Sequence, residues 1–147
     1  TLIYIDSWGG TVGTTELVGA LISAELTVTP SRHLKQFVGT VTPTDKGDAQ
    51  WDGELVLTLE YTAAVKTLVE AQVLATPVLV QRQIRLKATS AALIAQIDFA
   101  GTLTDVGTLF GDRDGNMTID LTFSGQYNTA LANWLKFAIT SAVATIA

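Results

Sequence analysis

The stretch LVLTLEYTAAVKTLVEAQ, residues 55–72, switches its hydrophobic period halfway along, and this switch decides the fold. From Leu55 to Leu59 a leucine stands at every second position, with Glu54, Thr58 and Glu60 among the residues between and around them, which is typical of a strand with one buried face. Thr62 can then cap a helix, because its side-chain oxygen can accept a hydrogen bond from a free backbone N–H. Beyond it the apolar residues recur at helical spacing, at Val65, Leu68, Val69 and Val73. The stretch therefore predicts a strand that leads directly into one α-helix, over about residues 62–75.

Three other segments show the same strand-like alternation, at residues 21–29, 96–104 and 117–126. Together with residues 54–61 they predict four half-buried strands whose second face carries Thr, Ser, Gln, Asp and Glu but neither Lys nor Arg. The carboxylates on these faces belong to Glu25, Glu54, Glu60, Asp98 and Asp120. A solvated sheet ordinarily mixes both signs of charge, and a surface without bases does not attract a polyanion.

The rest of the chain also favours β-structure. The strand at residues 78–89 differs from the four above, because Arg85 and Lys87 give it a basic outward face. Residues 30–53 contain prolines, glycines and charges of both signs, which predicts a long loop. The sequence GDRDGN at 111–116 predicts the turn of a hairpin between two long strands.

With 147 residues the chain has the size of one domain, spanning residues 1–147. Its apolar end, residues 134–145, reads as a last strand and not as a membrane segment, since it also holds polar residues. Long antiparallel strands with a single flanking helix predict a mainly β fold, either a β-sandwich or a partly closed barrel.

Composition and charge limit the classes of partner. The net charge is −5 and the pI is about 4.6, so attraction of nucleic acid by charge is not expected. Charged residues make up only 16% of the chain and hydrophobic residues 48%, which favours a surface partly covered by partners. Cysteine is absent, which excludes a disulfide framework, a thiol nucleophile and a Cys-bound metal.

The motifs for catalysis and metal binding are incomplete. Asp112, Asp114 and Asn116 match the first ligand positions of an EF-hand loop. The match ends there, because Phe123 stands where the bidentate Glu is needed. His33 is the only histidine, and no second ligand lies at metal-binding spacing from it. A hydrolase using the acidic faces would lack an aromatic platform for a sugar. We therefore predict no enzyme activity, no catalytic residue, no metal site and no cofactor.

In the order and spacing of its elements the chain resembles the major tail tube protein of long-tailed bacteriophages. The resemblance covers nearly all of the chain and is carried by the strand–helix stretch at 55–72 and by RQIRLKA at 82–88. It continues through IDFAGTLTDVGTL at 97–109, GDRDGN at 111–116 and TIDLTFSGQYN at 118–128, and an apolar C-terminal strand completes it.

The resemblance implies a structural, self-assembling virion protein. Members of that family form rings of six subunits, and the rings stack into a tube that conducts DNA through an inner β-barrel shared by neighbouring subunits. Carried onto this chain, the lumen-facing candidates are Glu25, Glu54, Glu60, Asp98 and Asp120. The ring-stacking candidates, in the loop that reaches the adjacent ring, are Arg32, His33, Lys35, Asp45, Lys46, Asp48, Trp51 and Asp52.

The same resemblance implies the partners and the location. The partners are further copies of the chain and other tail proteins, while DNA passes through the lumen without specific binding and no membrane is involved. The protein would be assembled in the host cytoplasm and reside in the phage tail.

Two alternatives remain open from the sequence. One is another tail ring component, such as a distal tail or terminator protein. The other is a carbohydrate- or ligand-binding β-sandwich, such as a receptor-binding or decoration domain, which requires an aromatic-lined groove. Trp8, Trp51 and Trp134 are spread along the chain, which favours anchoring in a core or an interface over ligand stacking.

Overall fold

The computed structural model of the chain describes residues 1–35, 45–48, 51–74, 80–90, 93–107, 111–113 and 115–141. In chain order the elements are β1 Leu2–Ser7, β2 Leu21–Thr29, β3 Arg32–Lys35, β4 Asp45–Asp48, β5 Asp52–Glu60, α1 Ala63–Leu74, β6 Gln81–Ser90, β7 Leu93–Val106, β8 Gly111–Arg113, β9 Asn116–Gly125 and β10 Leu135–Ser141. The predicted mainly β fold with one helix is confirmed. The predicted ends of the helix at residue 75 and of the last strand at residues 142–145 lie outside the described residues.

Eight of the strands form one antiparallel sheet. Its main order is β1-β6-β7-β9-β5-β2, with β10 added to β7 and β8 added to β9. β7 has 14 residues and is long enough to pair with β10 over residues 93–99 and with β9 over residues 101–106. β1 and β2 stand at opposite ends of the main order, so the sheet as described is open and not a closed barrel.

The buried face of the sheet has the phase that the sequence alternation predicts. Leu55, Leu57 and Leu59 on β5 are at most 1% exposed. Each stands opposite an apolar residue of β9, namely Phe123, Leu121 and Ile119 in that order. The helix α1 covers this face with Val65 and Val69, which are also buried. Because side chains alternate between faces with a period of two, this packing fixes which side of β5 and β9 is polar.

A glycine patch on the sheet receives the indole of Trp134. Gly101 and Gly125 are directly opposite in the register of β7 and β9, and the carbonyl oxygen of Gly53 lies beside Gly125. A Cβ added at Gly125 would lie 2.8 Å from the Trp134 ring, and one added at Gly53 would overlap it. The indole also meets the ring of Phe99 edge to face, with 6.0 Å between centroids. Trp134 therefore anchors the end of β9 against the start of β10.

The connection from β1 to β2 is held by one buried carboxylate. Asp6 is 3% exposed. It accepts hydrogen bonds from the backbone N–H groups of Gly13 at 2.6 Å, Thr14 at 3.3 Å and Thr15 at 2.8 Å, and from the Thr14 hydroxyl at 2.5 Å. Burial favours the protonated acid, but these hydrogen bonds to the ionised form outweigh it and lower the pKa of Asp6.

We expect Asp6→Asn to lower the free energy of unfolding by about 2–3 kcal/mol at neutral pH, because an amide cannot accept all of these bonds. The pKa of Asp6 is lower in the folded than in the unfolded protein. Its contribution is therefore present above the unfolded pKa and is lost as the pH falls through the folded pKa. Urea unfolding across the acid range should show a shallower pH dependence in Asp6→Asn than in wild type. Asp105→Asn, at an exposed carboxylate, serves as the control, and an equal loss in both variants would contradict the assignment.

The segment predicted as a long loop, residues 30–53, includes a two-stranded ribbon. β3 and β4 pair antiparallel, and their register sets Arg32 opposite Asp48 and Lys35 opposite Asp45. The segment is therefore not irregular throughout, and residues of opposite charge occupy facing positions of the ribbon. Residues 36–44 and 49–50 of the segment lie outside the described residues.

Candidate functional surface

The polar sides of β2, β5, β9 and the end of β7 join into one surface, which we call the acidic face. The strand registers set Glu25 opposite Val56, Thr27 opposite Glu54, Thr58 opposite Asp120 and Glu60 opposite Thr118. Facing positions of paired strands lie on the same side of a sheet. The acidic face therefore consists of Ser23, Glu25, Thr27, Thr29, Asp52, Glu54, Val56, Thr58, Glu60, Thr102, Asp105, Thr118, Asp120, Thr122 and Ser124, with no lysine or arginine among them. Beyond its Thr118 end, Arg113 of β8 occupies the position opposite Asn116.

The hydrogen bonds described for carboxylates of the acidic face come from a hydroxyl and a backbone N–H, and not from a cation. The Thr58 hydroxyl donates to Oδ1 of Asp120 at 2.7 Å. The salt bridges found within the described residues join Lys66 with Glu70 and Arg85 with Asp98, and none of these residues belongs to the acidic face. The charge of the acidic face is therefore not neutralised from within the described residues.

Asp105 belongs to the acidic face, although the sequence did not suggest it. A strict alternation through residues 96–104 would turn residue 105 toward the core. The register of β7 with β9 shifts between Leu103 and Asp105, so Asp105 stands opposite Thr122 instead. A bulge inserts one extra residue into a strand and reverses the facing of the residues beyond it. No alternation or turn signal in the sequence marks this bulge.

Asp98, a lumen-facing candidate from the sequence, is buried and paired with a base, so it does not belong to the exposed acidic face. Asp98 is 3% exposed. Its Oδ1 accepts a hydrogen bond from Nε of Arg85 at 2.7 Å, and its Oδ2 accepts one from Nη2 at 2.9 Å. The amide of Gln96 donates to both oxygens. The physical reason is strand order, since β6 lies beside β7 and its register sets Arg85 directly opposite Asp98.

The hydrogen bonds between Arg85 and Asp98 favour the charged form of both side chains. Hydrogen bonding to Asp98 raises the pKa of Arg85 above its ordinary value, although burial works in the opposite direction. The bidentate geometry matches the fork of the guanidinium to the carboxylate. On this side of the sheet the acidic face therefore gives way to β6, which carries Arg85 and Lys87. The sequence predicted a basic outward face for this strand.

The ring-stacking candidates fall into two groups. Arg32, His33, Lys35, Asp45, Lys46 and Asp48 lie on the ribbon of β3 and β4. Asp52 is the first residue of β5, and Trp51 directly precedes it and is 47% exposed. Trp51 is thus available to a partner, in contrast to Trp134, which packs against Phe99.

The turn at 111–116 forms a tight hairpin. β8 pairs with the start of β9, from Gly111 opposite Thr118 to Arg113 opposite Asn116. Oδ1 of Asp112 accepts a hydrogen bond from the N–H of Gly115 at 2.9 Å, and Gly115 has the positive φ of 83° that such a turn needs. Asp114 lies outside the described residues. In the part of the chain that the structure covers, no three His, Cys, Asp or Glu side chains come together as a metal site.

The strands β1, β2 and β10 differ in what borders their outer edges. β1 is bordered by the segment at residues 15–17, through Ile5 N–H to Thr15 O at 3.0 Å and Leu17 N–H to Ile3 O at 2.9 Å. β2 and β10 have no such neighbour on their outer edges among the described residues. On β10, Phe137 is 61% exposed and Ile139 75% exposed, a patch of apolar side chains that the sequence analysis did not single out.

The fold and this surface define a mainly β protein with an open antiparallel sheet, one packed helix and an acidic face free of bases. Comparison with models of known protein families and with curated proteins finds no match. No helix within the described ranges combines the length and the apolar character needed to cross a bilayer.

Proposed function

We propose that this chain is a structural protein of a bacteriophage tail, which assembles into rings that stack into a tube around a DNA channel. The observation that carries the proposal is the acidic face. It is continuous over β2, β5, β9 and the end of β7, five of its six carboxylates are exposed and the sixth, Glu60, is half-buried, and none of its residues is a base. The proposal is also supported by the resemblance of the chain to the tail tube family in the order and spacing of its strands and helix.

The chemistry of the acidic face suits a channel for DNA. Like charge on a wall keeps phosphate groups at a distance, since protein affinity for DNA comes mainly from Lys and Arg contacts to phosphates. The neutral residues between the carboxylates are mostly threonine and serine, which are short and offer no base. A polyanion would therefore slide past such a wall without being held.

The open edges of the sheet support self-assembly. A strand without a neighbour presents unpaired backbone N–H and C=O groups, which pair readily with another chain. The outer edges of β2 and β10 are of this kind among the described residues, and Phe137 and Ile139 add exposed apolar surface on β10. Copies of the chain that join at these edges would extend the sheet around a ring.

Negative-stain electron microscopy of the purified protein tests the proposal. We expect stacked rings of uniform width with a central channel. Single rings that never stack would favour another tail ring component, such as a distal tail or terminator protein. A strictly monomeric protein at high concentration would overturn the proposal.

A charge reversal on the acidic face should convert a repelling wall into a binding one. We expect tubes of Glu54→Lys to retain duplex DNA in co-sedimentation at low salt, with retention falling as salt rises, whereas wild-type tubes retain none. Glu70→Lys is the matched control, because Glu70 is an exposed glutamate on α1, away from the acidic face. Equal DNA retention by both variants would argue against the acidic face as the channel wall.

The carbohydrate-binding alternative has less support from the structure. Among the pockets in the described part of the chain, one is lined by Thr27, Thr29, Asp52, Gly53 and Glu54 and another lies beside α1. Neither has an aromatic side chain in its lining, although sugar-binding grooves depend on such platforms.

A further inference from the structure

A pocket of about 370 Å³ lies between α1 and the β1 end of the sheet. Its walls are mostly apolar and include Ile5 on β1, Leu17 in the segment that borders β1, and Leu68 and Ala71 on α1. A volume in this range holds a small ligand or a large side chain. The acidic face does not include this pocket, and the proposed channel gives it no role.

Arg82 contributes the charged wall of the pocket. Its side chain is half-buried, and Nη1 makes a long hydrogen bond of 3.5 Å to the carbonyl of the adjacent Gln81. No carboxylate among the described residues pairs with Arg82, whereas Arg85 on the same strand is paired with Asp98. Burial lowers the pKa of Arg82. A partly desolvated cation beside apolar walls is complementary to a carboxylate that accompanies an apolar group.

Trp51 and Asp52 carry this combination on the same chain. The exposed large hydrophobic residues in the described ranges are Leu2, Val18, Ile22, Trp51, Leu93, Met117, Tyr127, Phe137 and Ile139. Of this set, Trp51 alone has a carboxylate as its direct sequence neighbour. The Asp52 carboxylate accepts a hydrogen bond from the N–H of Gly53 at 2.9 Å, and no described cation pairs with it.

We propose that Trp51 of one copy inserts into the pocket beside α1 of a neighbouring copy, where Asp52, at the end of the acidic face where β5 begins, pairs with Arg82. This inference rests on the proposed self-assembly and names a contact that holds two copies together. The contact is head-to-tail, since each copy offers Trp51 to one neighbour and its pocket to another, and such contacts repeat around rings and along stacks. Tryptophan and arginine are also the residues that most often dominate binding energy at interfaces.

Charge reversal tests the pairing of Asp52 with Arg82. Asp52→Arg and Arg82→Asp each set like charges against one another, so we expect each to raise the protein concentration needed for assembly at least about tenfold. The double variant Asp52→Arg/Arg82→Asp restores opposite charges and is expected to assemble close to the wild-type concentration. Sedimentation velocity over a concentration series measures the assembly.

Three further variants complete the design. Trp51→Ala removes the inserted side chain and should also raise the assembly concentration at least about tenfold. Arg82→Gln removes the charge without adding a carboxylate, so it keeps the test valid if Arg82→Asp fails to fold. Lys66→Asp reverses an exposed cation on α1 outside the pocket and should assemble like wild type. Thermal unfolding of the monomers shows which variants are folded.

The outcomes separate this contact from the proposed function. Stacked rings formed by Trp51→Ala, Asp52→Arg and Arg82→Gln as readily as by wild type would overturn the contact and leave the tube proposal standing. Single variants that fail to assemble without rescue in the double variant would overturn the pairing of Asp52 with Arg82. A wild-type protein that never assembles would overturn both.

Discussion

Replacing Arg85 by methionine is expected to lower the free energy of unfolding by about 3–5 kcal/mol, because it leaves a buried carboxylate without its cation. Asp98 is 3% exposed and receives two guanidinium hydrogen bonds, at 2.7 and 2.9 Å. Methionine keeps much of the apolar stem of arginine, so the loss reports the missing charge and hydrogen bonds more than missing packing. Urea unfolding at neutral pH measures the difference.

The control for this prediction is Lys87→Met, two residues further along β6 on the same face. Lys87 has no described carboxylate partner, so we expect its replacement to change stability by less than about 0.5 kcal/mol. The double variant Arg85→Met/Asp98→Leu removes both charges and should recover most of the lost stability. A loss in Arg85→Met no larger than in Lys87→Met would show that the pair does not stabilise the fold.

Removing the indole of Trp134 is expected to have the second large effect. Trp134→Ala should lower the free energy of unfolding by about 3 kcal/mol, since it deletes the ring that fills the glycine patch and contacts Phe99. Gly53→Ala should also destabilise, by about 1–3 kcal/mol, because the added methyl group overlaps the indole. Thermal or urea unfolding of each variant measures these changes.

A double-mutant cycle isolates the contact between Gly53 and Trp134. In the background of Trp134→Ala the indole is gone, so Gly53→Ala should cost much less than it does in wild type. Gly9→Ala is the matched control, because a Cβ there meets no atom within 4 Å. Strictly additive losses in the cycle would mean that the methyl group and the indole do not compete for the same space.

The alternation in the four strand segments, with that of Leu55 to Leu59 at its centre, was enough to predict the mainly β fold class and the phase of the central strands. It places apolar side chains on one face at every second position, and burial leaves no other orientation for β5. The helix could also be predicted, because Thr62 precedes apolar residues that recur at helical spacing. The N–H of Val65 bonds to the Thr62 hydroxyl at 3.4 Å, as a cap requires.

The acidic face was predictable only in part. Glu25, Glu54, Glu60 and Asp120 share one side of the sheet, as the alternation indicates. Asp98 follows the same alternation but is buried against Arg85, and Asp105 breaks the alternation yet lies on the acidic face. Both differences come from long-range pairing. Asp98 is buried because β6 lies beside β7, and Asp105 is turned outward by a bulge in β7 where it pairs with β9.

The sequence alone establishes the local periods, the helix start and the excess of acid over base, because these depend on residues only a few positions apart. Strand order, register and the glycine patch under Trp134 arise only when distant segments meet. Asp6, the Arg85–Asp98 pair and the pocket beside α1 belong to this second group, since each joins segments whose approach depends on how the whole sheet is paired.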